Sequence, residues 1–217
     1  MNPQFWITAW KEGRTGFHRP SYHEKLVTHF PLLKARAGER VLVPLCGKSK
    51  DLAWLQKQGL AVHGVELHSQ AVEDFFPENG FASPKKSQDV DFTHFSSDGV
   101  LLSCGDFFRL GANAAYDLVY DRAALVALPE TMRQNYAEVI KRAIKPGGRY
   151  LLITYEYDQT KMDGPPFSVT EQEVRSLYQD EFSIRLVENK RPSSDGPRLE
   201  AVDGLTQAVT LLEKLRP

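Results

Sequence analysis

The chain of 217 residues carries 27 Lys plus Arg against 28 Asp plus Glu, and two cysteines. A length of this order fills one domain, residues 1–217, with a complete core, and the balanced charge supplies no basic field for nucleic acid or an anionic membrane, so a small molecule is the expected partner. No apolar run reaches the ~20 residues of a bilayer span, "MNPQFWITAWKEG" lacks the charged-then-apolar order of a secretion signal, and two cysteines make no disulfide framework; the expectation is a cytoplasmic monomer with reduced thiols.

Residues 1–38 precede the first strand. Phe5, Trp6 and Trp10 fall on nearly one helical side, which suits a helix face packed on the core. The following "KEGRTGFH" adds two glycines and a basic pair, which suits a segment, about residues 1–20, that closes over a bound ligand and excludes water. From residue 41 short β-branched runs alternate with helical patterns, the pattern of a mostly parallel sheet with helices on both faces. Strand one is 41–43. Residues 49–58 read as a helix with Leu52 and Leu55 on one face and Gly59 as its stop, and 60–66 as strand two. Ser69 is positioned to cap a helix to about residue 76, and "PENGFASPKKSQDVDF" reads as a surface loop. Residues 100–106 form strand three and 116–122 strand four. After Pro129, Met132, Tyr136, Val139, Ile140 and Ala143 repeat at threes and fours as a core-facing helix. "KPGG" ends it and turns into strand five, 149–157. The runs 182–188 and 206–214 are joined by a Pro- and Gly-rich stretch with no helix between them, so they are expected to pair antiparallel. Seven strands, mostly parallel with an antiparallel C-terminal pair, resemble the Rossmann-like class I methyltransferase arrangement.

Ligands of such sheets bind beyond the carboxyl ends of the strands. Those ends carry Leu45-Cys46-Gly47, Glu66, Gly105-Asp106, Asp121-Arg122 and Tyr155-Tyr157. "CGKS" is not a P-loop: counting back from Gly47, the first glycine of that motif would fall on Leu42, inside the strand, and Pro44 removes an N–H donor. Glu66 lies 19 residues after Gly47, where a carboxylate accepts both hydroxyl protons of a ribose; standing alone it reads equally as a solvated strand end. Asp106 suits an adenine amino group or the cap of the helix that follows. With Gly47 as the loop's one glycine there is no pyrophosphate pattern, which favours an adenosyl ligand without phosphates, S-adenosylmethionine. Metal is not expected, since His23-Glu24 is followed by Val27 where a zinc helix would supply a second His. Cys46 reads as a packing residue, His18 and His94 as hydrogen-bonded rather than catalytic, and Arg122 either as an anion holder or as the ion-pair partner of Asp121 or Asp106.

Longer stretches resemble a single family. "PLCGKSKDLAWLQKQGLAVHGVELHSQAVEDFF", "YDRAALVAL", "YDQTKMDGPPFSV" and "WKEGRTGFH" are similar to the thiopurine S-methyltransferase family from about Trp6 to Val169. The resemblance implies methyl transfer from S-adenosylmethionine to a thiol on an aromatic or heterocyclic ring. It also implies that Trp10, Leu45, Glu66 and Arg122 occupy cofactor-contacting positions and that Phe17, His18 and Arg122 border the acceptor. Gly47, Gly105 and Asp106 join the cofactor set from their strand-end places. No residue is assigned as a catalytic base. Ala123 stands where many relatives carry glycine, and residues 189–204 follow no family pattern. The alternatives are an enzyme for another soft acceptor, selenium or tellurium compounds, and a non-catalytic protein that binds S-adenosylmethionine.

Overall fold

The computed structural model describes residues 3–16, 18–192 and 197–216. In chain order the strands are β1 (Arg40–Pro44), β2 (Ala61–Glu66), β3 (Lys85–Gln88), β4 (Thr93–Ser97), β5 (Val100–Cys104), β6 (Tyr116–Arg122), β7 (Ile144–Glu156), β8 (Phe182–Lys190) and β9 (Thr206–Lys214). They form one sheet in the order β3-β4-β5-β2-β1-β6-β7-β9-β8. The helices are α1 (Pro3–Lys11), α2 (Glu24–His29), α3 (Lys50–Lys57), α4 (Ser69–Glu78), α5 (Glu130–Ala143), α6 (Glu171–Tyr178) and the four-residue α7 (Pro197–Glu200). The centre, β5-β2-β1-β6-β7, is parallel, and β9 runs antiparallel between β7 and β8.

Side chains on a strand alternate between faces, and here both faces are dry. Leu42, Val65, Val119 and Leu152 pack with Tyr136 and Ile140 of α5 and Val174 and Tyr178 of α6. Their neighbours Val41, Val43, Val62, Leu118 and Ile153 pack with Leu52 and Leu55 of α3 and Phe75 and Phe76 of α4. Central strands buried on both sides read as unbroken apolar runs, which is why "VLV" and "YLLI" stand out in the sequence. Ser49 caps α3 by accepting from Asp51 N–H at 3.2 Å, and Gly59 follows the helix with φ +85°, as its place in the sequence predicts.

The class I arrangement is present, enlarged from seven strands to nine. The stretch expected as a loop from residue 77 instead completes α4 and then forms β3, which pairs with β4 as a hairpin laid antiparallel on β5. β3 is "KKSQ", exposed at all four positions, so no apolar alternation reveals it; lysines on an edge strand discourage pairing with further chains. Two smaller expectations also change. The cap of α4 is His68, whose Nδ1 accepts from Ala71 N–H at 3.3 Å, rather than Ser69. "KPGG" lies within β7, beside a register shift between Tyr116 and Leu118 of β6. The connection from β8 to β9 contains the single turn α7 and remains short enough for the expected antiparallel pair. Helix α6, which the expected elements do not include, is capped by Thr170 accepting from Glu173 N–H at 3.1 Å, and "TEQE" has the spacing of a capping box.

Candidate active site

β1 and β6 are neighbours whose onward connections run to opposite sides of the sheet, so the strand order reverses between them and a crevice opens at their carboxyl ends. Beyond β1 the chain turns through Leu45 at φ +45° and Gly47 at φ +54°. A left-handed leucine costs roughly 1–2 kcal/mol, so the turn is held from outside. Cys46 N–H donates to Val65 O at 3.0 Å, and Gly47 N–H donates to Glu66 Oε2 at 2.8 Å. Glu66 Oε1 accepts from His68 N–H at 2.8 Å. The carboxylate at the end of β2 is thus clamped on both oxygens by backbone donors, with Leu67 N–H acting on it as well, and of its four lone-pair sites at least one is left to accept from a ligand. Burial pushes the Glu66 carboxyl above its usual range, against the lowering effect of these N–H donors.

At the end of β5, Gly105 N–H donates to Glu66 O at 2.9 Å. Its lack of a side chain is explained by packing, since a Cβ would lie 2.5 Å from Phe92 Cδ1 and 2.6 Å from Asp91 O. Asp106 is exposed and accepts from Phe108 N–H at 3.0 Å, capping a 3-10 turn over Phe107–Arg109. Cys46 is buried, and that burial, followed by the charge of Glu66, pushes its thiol well above the usual range, which fits a packing residue and not a nucleophile.

Arg122 ends β6 and turns back over the crevice. Its ion-pair partner is neither Asp121 nor Asp106 but Asp51, with Nε donating to Oδ2 at 3.0 Å; Nη2 donates to Ser49 Oγ at 3.2 Å. Asp121 is committed elsewhere, accepting from Tyr136 Oη at 2.6 Å and Tyr150 Oη at 2.8 Å inside the core. Sequence spacing hides the Asp51 partnership because an acidic residue in the first turn of a helix is ordinary, and nothing local says that this one is buried. Tyr155, at the end of β7, accepts from Gln207 Nε2 of β9 at 3.2 Å.

From the N-terminal side, the ring of Trp10 stacks on His68, centroids 5.8 Å apart with planes at 17°, and its edge would lie 3.0 Å from a Cβ at Gly47. His18 lies 6.3 Å from Trp10, centroid to centroid. Burial, then the charge of Lys48, holds the His18 imidazole below its usual range; Arg122 and Lys50 act the same way and Glu78 against them. Trp10 and His18 are neighbours, Trp10 lies beside Gly47, Gly47 is bonded to Glu66 and the charge of Arg122 reaches His18, so these five sit together beyond the carboxyl ends of the strands; Leu45 packs against the core and Asp106 is exposed. Phe17 lies outside the described residues. His94 is away from the crevice, bonded to Ser103 and Asp89.

The residues present suit an adenosyl group. A buried carboxylate fixed by backbone donors with accepting capacity left over answers a ribose hydroxyl, Gly47 leaves room beside the indole of Trp10, and no phosphate-binding glycine pattern competes. Two surface clefts lie elsewhere: one of about 340 Å³ beside Met132 and Val139 of α5, the other of about 590 Å³ at the amino ends of β2 and β5. Neither lies at the carboxyl ends of the parallel strands, where a doubly wound sheet binds its ligands, so attention goes to the crevice beside Trp10. Among the described residues no cluster of three His, Cys, Asp or Glu side chains is placed to hold a metal, and no helix is long and apolar enough to cross a membrane.

Comparison with known proteins agrees with this geometry. The sequence model described as thiopurine S-methyltransferase matches residues 1–215. The protein of that name from Bordetella petrii is 44% identical over 100% of this chain and 99% of its own length, and that from Nitrosospira multiformis 41% over 98% of each. Among solved structures, Burkholderia thailandensis 1,6-didemethyltoxoflavin-N1-methyltransferase, with bound S-adenosylhomocysteine, has a similar fold, with a TM-score of 0.66 at 19% identity over 99% of this chain and 87% of that one. A TehB-like methyltransferase from Corynebacterium glutamicum gives 0.59 at 15% identity, covering 98% and 97%. With the whole length matched and the strand-end crevice in place, this chain belongs to the thiopurine S-methyltransferase family and is a methyltransferase of the S-adenosylmethionine-dependent class.

Proposed function

We propose that the protein transfers the methyl group of S-adenosylmethionine to the sulfur of a small aromatic or heterocyclic thiol of the thiopurine kind, as a cytoplasmic monomer that needs no nucleic acid or membrane. The observation that carries this reading is the convergence of Glu66 and Arg122 at the ends of the two strands flanking β1. One offers a carboxylate to a ribose, the other a guanidinium to an electron-rich acceptor. The names of its relatives support the choice of sulfur.

When bound, the sulfonium donor supplies a methyl group already activated for displacement, so the protein's work is positioning. Holding a nucleophile in line at near-attack distance removes several kcal/mol of barrier. Glu66 and Gly47 would hold the nucleoside end and Trp10 would border it; an aromatic face also attracts a cation. Arg122, with His18 near it, would meet the acceptor, and an aromatic thiol ionises more readily than the ~8.5 of cysteine, so a thiolate is available for the guanidinium to hold. Burial and the charge of Lys48 hold the His18 imidazole below its usual range, which favours the neutral ring beside an acceptor that arrives as thiolate.

The deciding experiment follows label from methyl-labelled S-adenosylmethionine into a panel of aromatic thiols, selenium compounds, catechols and amines. Transfer to thiols well above oxygen and nitrogen acceptors is expected. Stronger transfer to selenium compounds would make those the acceptors, and binding of S-adenosylhomocysteine without transfer to any panel member would reduce the protein to a ligand-binding module.

A further inference from the structure

Asp51 stands outside the set of crevice residues, yet three elements meet on it. Its side chain is 2% exposed. Oδ1 accepts from His23 N–H at 2.7 Å, at the start of α2, and Oδ2 accepts from Tyr120 Oη and from Arg122 Nε, each at 3.0 Å. Ser49, two residues earlier, takes Nη2 of the same guanidinium at 3.2 Å while capping the helix that carries Asp51. The Nε and Nη2 positions of Arg122 are thereby fixed by the first turn of α3, and a planar guanidinium held at two nitrogens has its plane set. An arginine on a strand end would otherwise sample many rotamers, losing freedom only when an acceptor arrives. Burial disfavours the charge of Arg122, and the Asp51 carboxylate, joined by the Tyr120 and Tyr155 hydroxyls, outweighs it and keeps the guanidinium cationic.

We propose that Asp51 is a positioning residue for the acceptor: acting through Arg122, it pre-orients the guanidinium and keeps it charged, so that an anionic or polarisable acceptor binds without reorganisation. The proposal rests on the methyl transfer proposed above and deepens it. A purely structural Asp51, tying α2, α3 and β6 together, would influence stability and every kinetic quantity alike.

The test measures kcat and acceptor KM with an aromatic thiol, together with calorimetric binding of S-adenosylhomocysteine, in the wild type, Asp51→Asn, Arg122→Gln, the double variant, Tyr120→Phe and Ser49→Ala. Asp51→Asn is expected to raise acceptor KM at least tenfold, to alter kcat by less than threefold, as loss of uniform binding does, and to leave S-adenosylhomocysteine affinity within twofold. Added to Arg122→Gln, the same substitution should change KM by less than twofold, because its effect passes through the arginine. Tyr120→Phe removes a hydroxyl that meets both Asp51 and Arg122 but keeps the Asp51–Arg122 ion pair, so KM should rise less than threefold even if stability falls. An unchanged KM in Asp51→Asn, an additive effect in the double variant, or an equal KM rise in Tyr120→Phe overturns the proposal. Should Asp51→Asn not fold, Ser49→Ala decides: a KM rise of threefold or more with intact S-adenosylhomocysteine binding upholds the positioning of Arg122 from α3, and an unchanged KM overturns it. Absence of wild-type turnover with every acceptor defeats the proposed function and this inference together, whereas turnover with an insensitive KM defeats the inference alone.

Discussion

Glu66 Oε2 accepts the N–H of Gly47 at 2.8 Å, and through that bond the end of β2 dictates the turn that follows β1. The carboxylate thus has a backbone partner on each oxygen before any ligand is considered, with His68 N–H on Oε1. Replacing Glu66 by Ala should weaken S-adenosylhomocysteine binding by roughly 1.5–3 kcal/mol, the range for hydrogen bonds to a charged group. Glu66→Gln keeps the shape and presents an NH2 toward one of the two N–H donors, so it should sit between wild type and Ala. Calorimetry measures both. Unaltered affinity in both variants would confine Glu66 to bracing its own backbone neighbours.

Ala123 adopts φ +60° immediately after Arg122. A left-handed alanine costs about 1–2 kcal/mol, and glycine returns part of that relief through its freer unfolded chain. Ala123→Gly should therefore stabilise the fold by about 0.5–1 kcal/mol, read as a higher urea midpoint at unchanged slope. Leu45, at φ +45°, differs because its side chain packs against the core; there the lost burial, about 1.5–3 kcal/mol for a fully buried leucine, offsets the strain released, and Leu45→Gly should be neutral or destabilising. A lower midpoint for Ala123→Gly would show that its methyl group does more packing than its backbone costs.

The sequence carried the centre of this fold and lost its margins, and the same physics explains both. Strands such as "VLV" announce themselves because burial on both faces leaves nothing polar in the run, whereas "KKSQ" forms β3 only because β4 is already paired with β5. The strand-end places of Glu66 and Arg122 are legible because the apolar runs before them end there, and strand ends are where a doubly wound sheet puts its ligands. The partnership of Arg122 with Asp51 crosses 71 positions, and no local pattern marks it. Gly105 shows the converse: its strand-end place suggests ligand contact, while its Cβ-free surface faces Phe92.

A polar chain crosses the sheet away from the crevice. Tyr116 Oη meets His63 Nδ1 at 2.5 Å, His63 Nε2 meets Ser103 Oγ at 2.7 Å, and Ser103 Oγ meets His94 Nδ1 at 2.8 Å. Burial first, then the charges of Arg40 and His94, lower His63 from 6.5 to about 4. A folded-state pKa below the unfolded one means that the folded protein resists protonation. The contribution of His63 is therefore complete above about pH 6.5 and is lost as the pH falls toward 4, on the order of 3 kcal/mol at about 1.4 kcal/mol per unit. Glu66 and Asp121, whose carboxyls burial raises, act in the opposite direction, so the comparison must be between variants. Unfolding free energies at pH 7 and pH 4.5 should differ by roughly 2–3 kcal/mol more in the wild type than in His63→Gln. Equal differences would mean that His63 takes up its proton as readily in the folded protein.

The segment before α2 touches the crevice through few groups, and its behaviour with ligand is the sharpest question left by Trp10. Helix α1 buries Ala9 and lays Trp10 on His68 and beside Gly47. It ends with Gly13 at φ +68°, where nothing lies within 4 Å of an added Cβ, while His23, further along, is fastened to Asp51. A helix that lays Trp10, near its C-terminal end, on His68 and is followed by a glycine turn before the buried His23–Asp51 bond is suited to open and reclose over the crevice. Deleting the first sixteen residues should then leave a protein that unfolds cooperatively yet binds S-adenosylhomocysteine at least tenfold more weakly, and Trp10→Ala should reproduce much of that loss. Amide exchange over residues 5–16 should slow when S-adenosylhomocysteine is added, because the ligand supplies a second surface for the indole and lowers the population of the open form. If exchange there is equally slow with and without ligand, or if the shortened chain cannot fold, α1 is a fixed part of the core and the aromatic side it presents is packing rather than a cover.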